Sequence, residues 1–250
     1  MSKKTIATVM AIIGFLLVAA GSFFIWKIWI ENWKAERLND KLAGIHNAGA
    51  GLDNGIDAGL LALHDQNPDC IYWLRIPGTD INYPVMHHPD EKDYYLARDF
   101  NGEWSVHGTL YIAEECDPVT SDNRIIYGHH MQDGSMFAGL EKYKNEAFYR
   151  EHKHIELETL SGHEDYTIVA AFSVPVYTGN DFQYYAFINA EDEAAYDGFI
   201  SECRKRSYYE TGQAAVYRQQ LLTLSTCEYS HKNGRMVIVA VRTDREAGNA

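Results

Sequence analysis

Polar and apolar positions divide the chain into stretches of different period. From Thr5 to Trp26 the run TIATVMAIIGFLLVAAGSFFIW holds no charged residue, and the MSKK before it is basic. A helix that crosses a bilayer needs about 20 such residues. The VAAGS within it resembles a signal-cleavage site, but the apolar run continues past it through FFIW, so an uncleaved transmembrane helix is predicted. From Glu31 to about Pro68 the pattern becomes helical, with Trp33, Leu38, Leu42 and Ile45 striping a charged background. AGAGLDNG interrupts the stripe and GIDAGLLALHDQNP resumes it, which predicts a stalk or helical pair packed on the main domain.

After Cys70 the pattern turns to strands. IYWLRIPGTDINYPVM holds two around a Pro-Gly turn. GTLYIAEEC, NRIIYGHHM, HIELETL, DYTIVAAFSVPVY, QQLLTLSTC and RMVIVAVRT follow, with helices predicted in DYYLARDF, MFAGLEKYKNEAFYREH and Ala190 to Tyr209. The last of these carries acids first and bases late, as the helix dipole prefers. About eight strands with inserted helices predict a mainly β fold, a β-barrel or closed mixed sheet. The chain then divides into an anchor at 1–30, a helical stalk at 31–68 and a catalytic domain at 69–250.

Composition narrows the function. Apolar residues make up 46% of the 250, enough for a real core. The formal net charge of -13 argues against a nucleic-acid partner, which calls for a basic face. Lys3 and Lys4 precede the apolar run, so the positive-inside rule puts the N-terminus in the cytoplasm and the rest outside the cell. Four cysteines occur, Cys70, Cys116, Cys203 and Cys227, with no CxxC pair. The first three read as buried small residues rather than bridge partners. His87-His88 and His152-x-His154 lack a third ligand at zinc-like spacing, so no metal and no cofactor are expected.

The candidate chemistry lies at strand ends. In TLSTCEYS, period-2 alternation sets Leu221, Thr223, Ser225 and Cys227 on one face. EYSHKNG then supplies an Asn-Gly turn signal, and Arg235 opens the next strand. If the two strands pair, Cys227 and Arg235 meet at one rim. A guanidinium beside a thiol serves as a donor to an oxyanion or a substrate carbonyl. In NRIIYGHHM a histidine after a permissive glycine reaches a strand end, where it would act as general acid and base for the thiol. Alternation lets only one of His129 and His130 point there, and the residues alone leave both open.

INYPV, IIYGHHM, TLSTCEYS and GRMVIVA, in that order behind one N-terminal anchor, resemble the sortases, and class B sortases in particular. The resemblance runs from about Asp69 to Thr243. It implies an eight-stranded sortase-like barrel and a membrane-anchored cysteine transpeptidase. It selects His129 over His130 and makes His129, Cys227 and Arg235 the catalytic set. It also implies substrate contacts from Asn82 and from Ser225, Thr226 and Glu228 of the cysteine motif. The implied partners are secreted proteins with a C-terminal sorting motif, cut after a threonine, and a peptidoglycan amine that receives them. A pilin-polymerising sortase is the closest alternative. Such enzymes often carry a second apolar segment, and TDREAGNA has none. Papain-like peptidases place cysteine before histidine, and L,D-transpeptidases use a compact Ser-His-Gly-Cys element. This chain fits neither pattern, and a tethered binding module without catalysis is the rival from another class.

Overall fold

The computed structural model describes residues 3–49, 51–53, 55–176, 182–228 and 234–243. One helix, α1 (Lys3–Ala48), carries both the apolar run and the amphipathic stretch. The anchor and the first part of the stalk are therefore continuous, where the sequence divided them at residue 30. No proline or glycine pair breaks the helix before Gly49. Two short strands, β1 (Leu52–Asp53) and β2 (Ile56–Asp57), form a ribbon that the sequence did not suggest. α2 (Ala58–His64) follows, capped by Asp57, whose Oδ1 accepts from the Leu60 N–H at 2.7 Å.

Eight strands then close a barrel. They are β3 (Cys70–Arg75), β4 (Asn82–Met86), β5 (Leu110–Ile112), β6 (Asn123–Tyr127), β7 (His154–Thr159), β8 (Gly162–Pro175), β9 (Leu221–Glu228) and β10 (Gly234–Arg242). Around the barrel the order is β10, β8, β7, β3, β4, β5, β6, β9. β4 with β5 and β6 with β9 are parallel; the other pairs are antiparallel. Tyr94–Ala97 is a 3-10 turn. The helix expected in MFAGLEKYKNEAFYREH is two pieces, a 3-10 stretch at Ala138–Lys144 and α3 (Glu146–Glu151). Asn145 separates them, because its side chain caps α3 by accepting from the Ala147 N–H at 2.9 Å. α4 (Glu193–Arg206) lies within the predicted Ala190 to Tyr209, capped by Asp192 and ending in Arg204, Lys205 and Arg206.

Alternation along the last two strands sorts the core. Leu222 and Leu224 of β9 and Met236, Ile238 and Ala240 of β10 fill the barrel. Leu221, Val237, Val239 and Val241 point outward and pack under Tyr196, Phe199, Ile200 and Cys203 of α4. Each such fully buried aliphatic or aromatic side chain contributes about 1.5–3 kcal/mol. On the other side, Leu42 of α1 and Leu60 and Leu63 of α2 cover Trp73 and Met86. The far end of the barrel holds a buried ion pair, Arg124 to Glu164 at 2.6 Å, with Arg242 on the second carboxylate oxygen at 3.0 Å.

Candidate active site

β6 and β9 end, and β10 begins, at one rim of the barrel. β9 and β10 are antiparallel with Cys227 directly opposite Arg235. Opposed residues of an antiparallel pair project from the same face, so the thiol and the guanidinium leave the sheet side by side. β6 runs parallel to β9 with Tyr127 level with Ser225. The Gly128 N–H carries the ladder one step further by donating to the Ser225 carbonyl at 3.2 Å. Continued two residues past Tyr127, this register brings His129 level with Cys227. Residue 128 has no room for a side chain. A Cβ there would lie 2.3 Å from Cδ2 of Leu110 and 2.8 Å from the ring of Phe137.

Both histidines of this loop contact backbone carbonyls. His129 Nε2 lies 2.7 Å from the Leu96 carbonyl oxygen. A carbonyl only accepts, so Nε2 carries the proton and, in the neutral ring, Nδ1 keeps the lone pair. His130 Nδ1 lies 3.0 Å from the carbonyl of Cys227 and donates to it, which ties this histidine to the backbone of the nucleophile candidate. Arg235 is half-buried and donates from Nη1 to the Gly234 carbonyl at 3.1 Å.

The four thiols are free and differ in access. Burial pushes Cys70 up to about 12 and Cys116 up to about 11, and raises Cys203 as well. None of these three supplies a thiolate near neutral pH. Cys227 is partly exposed at the rim, which is where a nucleophile must be.

An irregular segment supports the histidine loop. Asp93, at φ +53, turns the chain into the 3-10 turn that presents the Leu96 carbonyl. Gly108, at φ +58, packs against that same carbonyl. His107 is buried, and its Nε2 lies 3.0 Å from Asp133 within the histidine loop. Burial opposes ionisation of Asp133, but hydrogen bonds from Ser135 and His107 outweigh it and hold the carboxyl below its ordinary value. The Phe137 N–H closes the loop onto the His129 carbonyl at 2.9 Å.

The other expected contact residues surround this rim in different settings. Ser225 is buried, with Oγ 2.7 Å from the hydroxyl of Tyr184. Thr226 is also buried, and its hydroxyl has no hydrogen-bond partner among the described residues. These two shape the wall beneath the thiol rather than a surface open to solvent. Asn82 accepts from the Trp73 indole at 2.7 Å and lines a cleft with Asn39, Asp40 and Ala43 of α1 and with His107, Asp133 and Ser135, which support the histidine loop. Glu228 closes β9 opposite Gly234, and its side chain lies outside the described set, as does the Asn-Gly turn at 229–233. Sequence reasoning missed Leu96, His107, Gly108 and Asp133. Only the His107-Gly108 pair, which repeats the Gly-His pairing in reverse, offered a signal.

A family model described as a sortase domain matches residues 74–243. A Sortase B of Staphylococcus aureus is 31% identical over 185 residues, 72% of this chain and 72% of that protein. A Sortase B of Listeria monocytogenes is 30% identical over 233 residues, 89% of this chain and 92% of that protein. Among solved structures, sortase B from B. anthracis in complex with AAEK1 is similar at a TM-score of 0.76 and 25% identity, over 87% of this chain and 100% of that one. A Staphylococcus aureus sortase B–substrate complex is similar at a TM-score of 0.74 and 27% identity, over 86% and 97% of the two chains.

Proposed function

The chain belongs to the sortase family, in its class B, and is a cysteine transpeptidase; from that premise we propose that Cys227 is its nucleophile, His129 its acid and base, and Arg235 its oxyanion or substrate donor. The reading is carried by the direct opposition of Cys227 and Arg235 at the rim, with the other three thiols buried.

The substrate is a secreted protein with a C-terminal sorting motif. Cys227 passes its proton to Nδ1 of His129, and its sulfur attacks the carbonyl of the motif threonine. Negative charge gathers on that oxygen, where a guanidinium donor stabilises it. Collapse breaks the amide bond, and the leaving amine takes the proton from His129. A thioester on Cys227 remains. A peptidoglycan amine then attacks, His129 takes its proton, and the new amide leaves as Cys227 regains its own. Two steps through a covalent intermediate replace one difficult exchange. The hydrogen bond to Leu96 supports Nδ1 as the reacting nitrogen, since Nε2 is already a donor. α1 anchors the enzyme with its N-terminus in the cytoplasm and the barrel facing the wall. Its apolar stretch has a mean hydropathy of 1.9 and none of it is buried by the protein.

The test is a panel of sorting-motif peptides, with and without an added amine, read by mass spectrometry. Cleavage after threonine without amine, and transfer with it, are expected. Cys227→Ala and His129→Ala should abolish both, while His130→Ala keeps measurable turnover because its Nδ1 is committed to the Cys227 carbonyl and not to the thiol. Turnover by Cys227→Ala would end the reading, and an inactive His130→Ala beside an active His129→Ala would exchange the two histidines.

A further inference from the structure

The segment that carries Leu96 and His107 also carries a feature the transpeptidase chemistry does not use. Trp104 is 64% exposed, and Val106 beside it is exposed too. The loop that presents them is built rather than slack. Asp99 Oδ1 accepts from the backbone N–H of Asn101 at 2.8 Å and of Glu103 at 3.0 Å, and Asp99 and Glu103 pair through their backbones at 2.8 Å. Arg98 and Trp104 form an isolated antiparallel bridge that sets where the indole leaves the loop. A large aromatic side chain is therefore held out in the open on a fixed turn.

Its position relative to α1 matters more than its exposure. Trp104 and Ser105 line one cleft, of about 220 Å³, with Glu31, Lys34 and Ala35 of α1. The uncharged run ends at Trp26. Past the single Lys27, whose apolar stem can lie along the acyl chains with its ammonium at the headgroups, apolar residues continue to Ile30, and at 1.5 Å per residue Glu31 stands about 1.5 Å beyond Ile30 and Ala35 about 7.5 Å. The headgroup layer on each side of a bilayer is roughly 5–8 Å deep. Exposed Trp26, Ile28, Trp29 and Trp33 continue an apolar, aromatic surface through this zone of the helix. Trp104 thus stands beside the part of α1 that meets the headgroups. Interfacial positions favour tryptophan, whose ring is apolar and whose N–H needs a polar partner.

The docking of α1 fixes this height. Leu42 is buried against the barrel, and the His46 ring stacks on Trp73 with centroids 4.2 Å apart. The barrel cannot lift away from the bilayer without breaking those contacts. The geometry points to the Asp99–Val106 loop resting on the bilayer that α1 crosses, with the Trp104 indole in the headgroup layer as a second point of membrane contact. Charge does not drive this contact, since the acidic Glu31, Asp99 and Glu103 offset the basic Lys27, Lys34 and Arg98 around it. The inference rests on the reading of α1 as a membrane anchor.

The experiment uses the full chain, labelled with 5-fluorotryptophan, in nanodiscs of phosphatidylcholine and of phosphatidylcholine with phosphatidylglycerol. The chain has five tryptophans, and Trp104→Phe assigns the fluorine signal of Trp104. A lipid carrying a spin label on its headgroup is added to the discs. Loss of the Trp104 signal together with that of Trp29, with buried Trp73 unaffected and both lipid compositions alike, is the expected result. Loss at Trp26 and Trp29 with Trp104 unchanged would overturn the docking and leave the anchor standing. Retention of all of these signals would overturn the anchor itself. A Trp104 effect seen only with phosphatidylglycerol would overturn the aromatic account in favour of an electrostatic one.

Discussion

Substituting Gly108 by alanine should disturb catalysis through the backbone alone. Gly108 sits at φ +58, and a Cβ there would lie 2.5 Å from the Leu96 carbonyl oxygen and 2.7 Å from that of Tyr95. Neither is a side chain that can rotate away. The left-handed conformation costs alanine roughly 1–2 kcal/mol, and forcing extra atoms into a packed place costs about 1–3 kcal/mol more. Against a typical domain stability of about 5–15 kcal/mol the protein stays folded. The Leu96 carbonyl has to shift, and it is the acceptor 2.7 Å from His129 Nε2. One neutral hydrogen bond contributes about 0.5–1.5 kcal/mol, which corresponds to a two- to roughly tenfold fall in turnover when it is lost. Gly212→Ala is the control, because Gly212 shares the strained φ, +69, but has open space where its Cβ would go. The assay pairs peptide kcat and urea midpoints with nitrogen-15 spectra of labelled histidine, which report the tautomer of His129. Both variants should lose stability, and only Gly108→Ala should lose kcat and the Nε2–H form. A folded Gly108→Ala protein with wild-type kcat and an unchanged His129 tautomer would refute the role given to Leu96.

Arg235→Lys and Arg235→Ala should each reduce peptide turnover by about 10²–10³, the usual loss for one oxyanion donor, because lysine keeps the charge without the planar fork. Alkylation of Cys227 by a small reagent needs no oxyanion donor and should change far less; a parallel collapse of both would make Arg235 a partner of the thiol only. His46 predicts an acid limb in stability. Burial, its largest influence, lowers its pKa; Asp57 and Glu158 oppose this and Arg75 adds to it. As pH falls below the unfolded value of about 6.5, the unfolded chain takes up a proton before the folded one does. Stability from the neutral ring is thus complete above about 6.5 and is lost as pH falls toward the folded value. His46→Phe, which keeps a ring against Trp73, should flatten the limb in urea titrations across this range, and an unaltered limb would clear His46 as its source.

Strand ends were legible because the code for them is short. Alternation of period 2 put Cys227 on one face with Ser225, and the turn after it brought Arg235 to the same rim if the two strands paired. The structure has these two residues directly opposed. The closed barrel followed from the number of strands, but the partner of β6 did not. β6 pairs in parallel with β9, which begins 94 residues after β6 ends, by subtraction of Tyr127 from Leu221. No local pattern encodes such a pairing. The boundary between anchor and stalk at residue 30 rests on a change from uncharged to charged residues, which marks where solvent begins, not where a helix ends. α1 passes through it unbroken. Ser225 and Thr226 were read as substrate contacts because they adjoin the cysteine in the motif. Their burial, and the hydrogen bond between the hydroxyls of Ser225 and Tyr184, add packing to the motif, which spacing cannot reveal.

The histidine exposes the deeper limit. Two strands can fix the Cα positions of Cys227 and Arg235, since a ladder sets register to a fraction of a residue. An imidazole past the end of β6 needs a further point to choose its rotation and its protonated nitrogen. Here that point is a main-chain carbonyl, a group every residue has, so no residue type announces it. What makes Leu96 the acceptor is the loop around it: Asp93 in the left-handed region, Gly108 wedged behind the carbonyl, and His107 fastened to Asp133 of the histidine loop. Trp104 belongs to the same segment, eight residues beyond Leu96. On the two proposals made above, contact with a bilayer at one end of it and orientation of a catalytic ring at the other would both constrain one short stretch of backbone, in keeping with its being pinned by side-chain and glycine contacts instead of being left as a plain connection between β4 and β5.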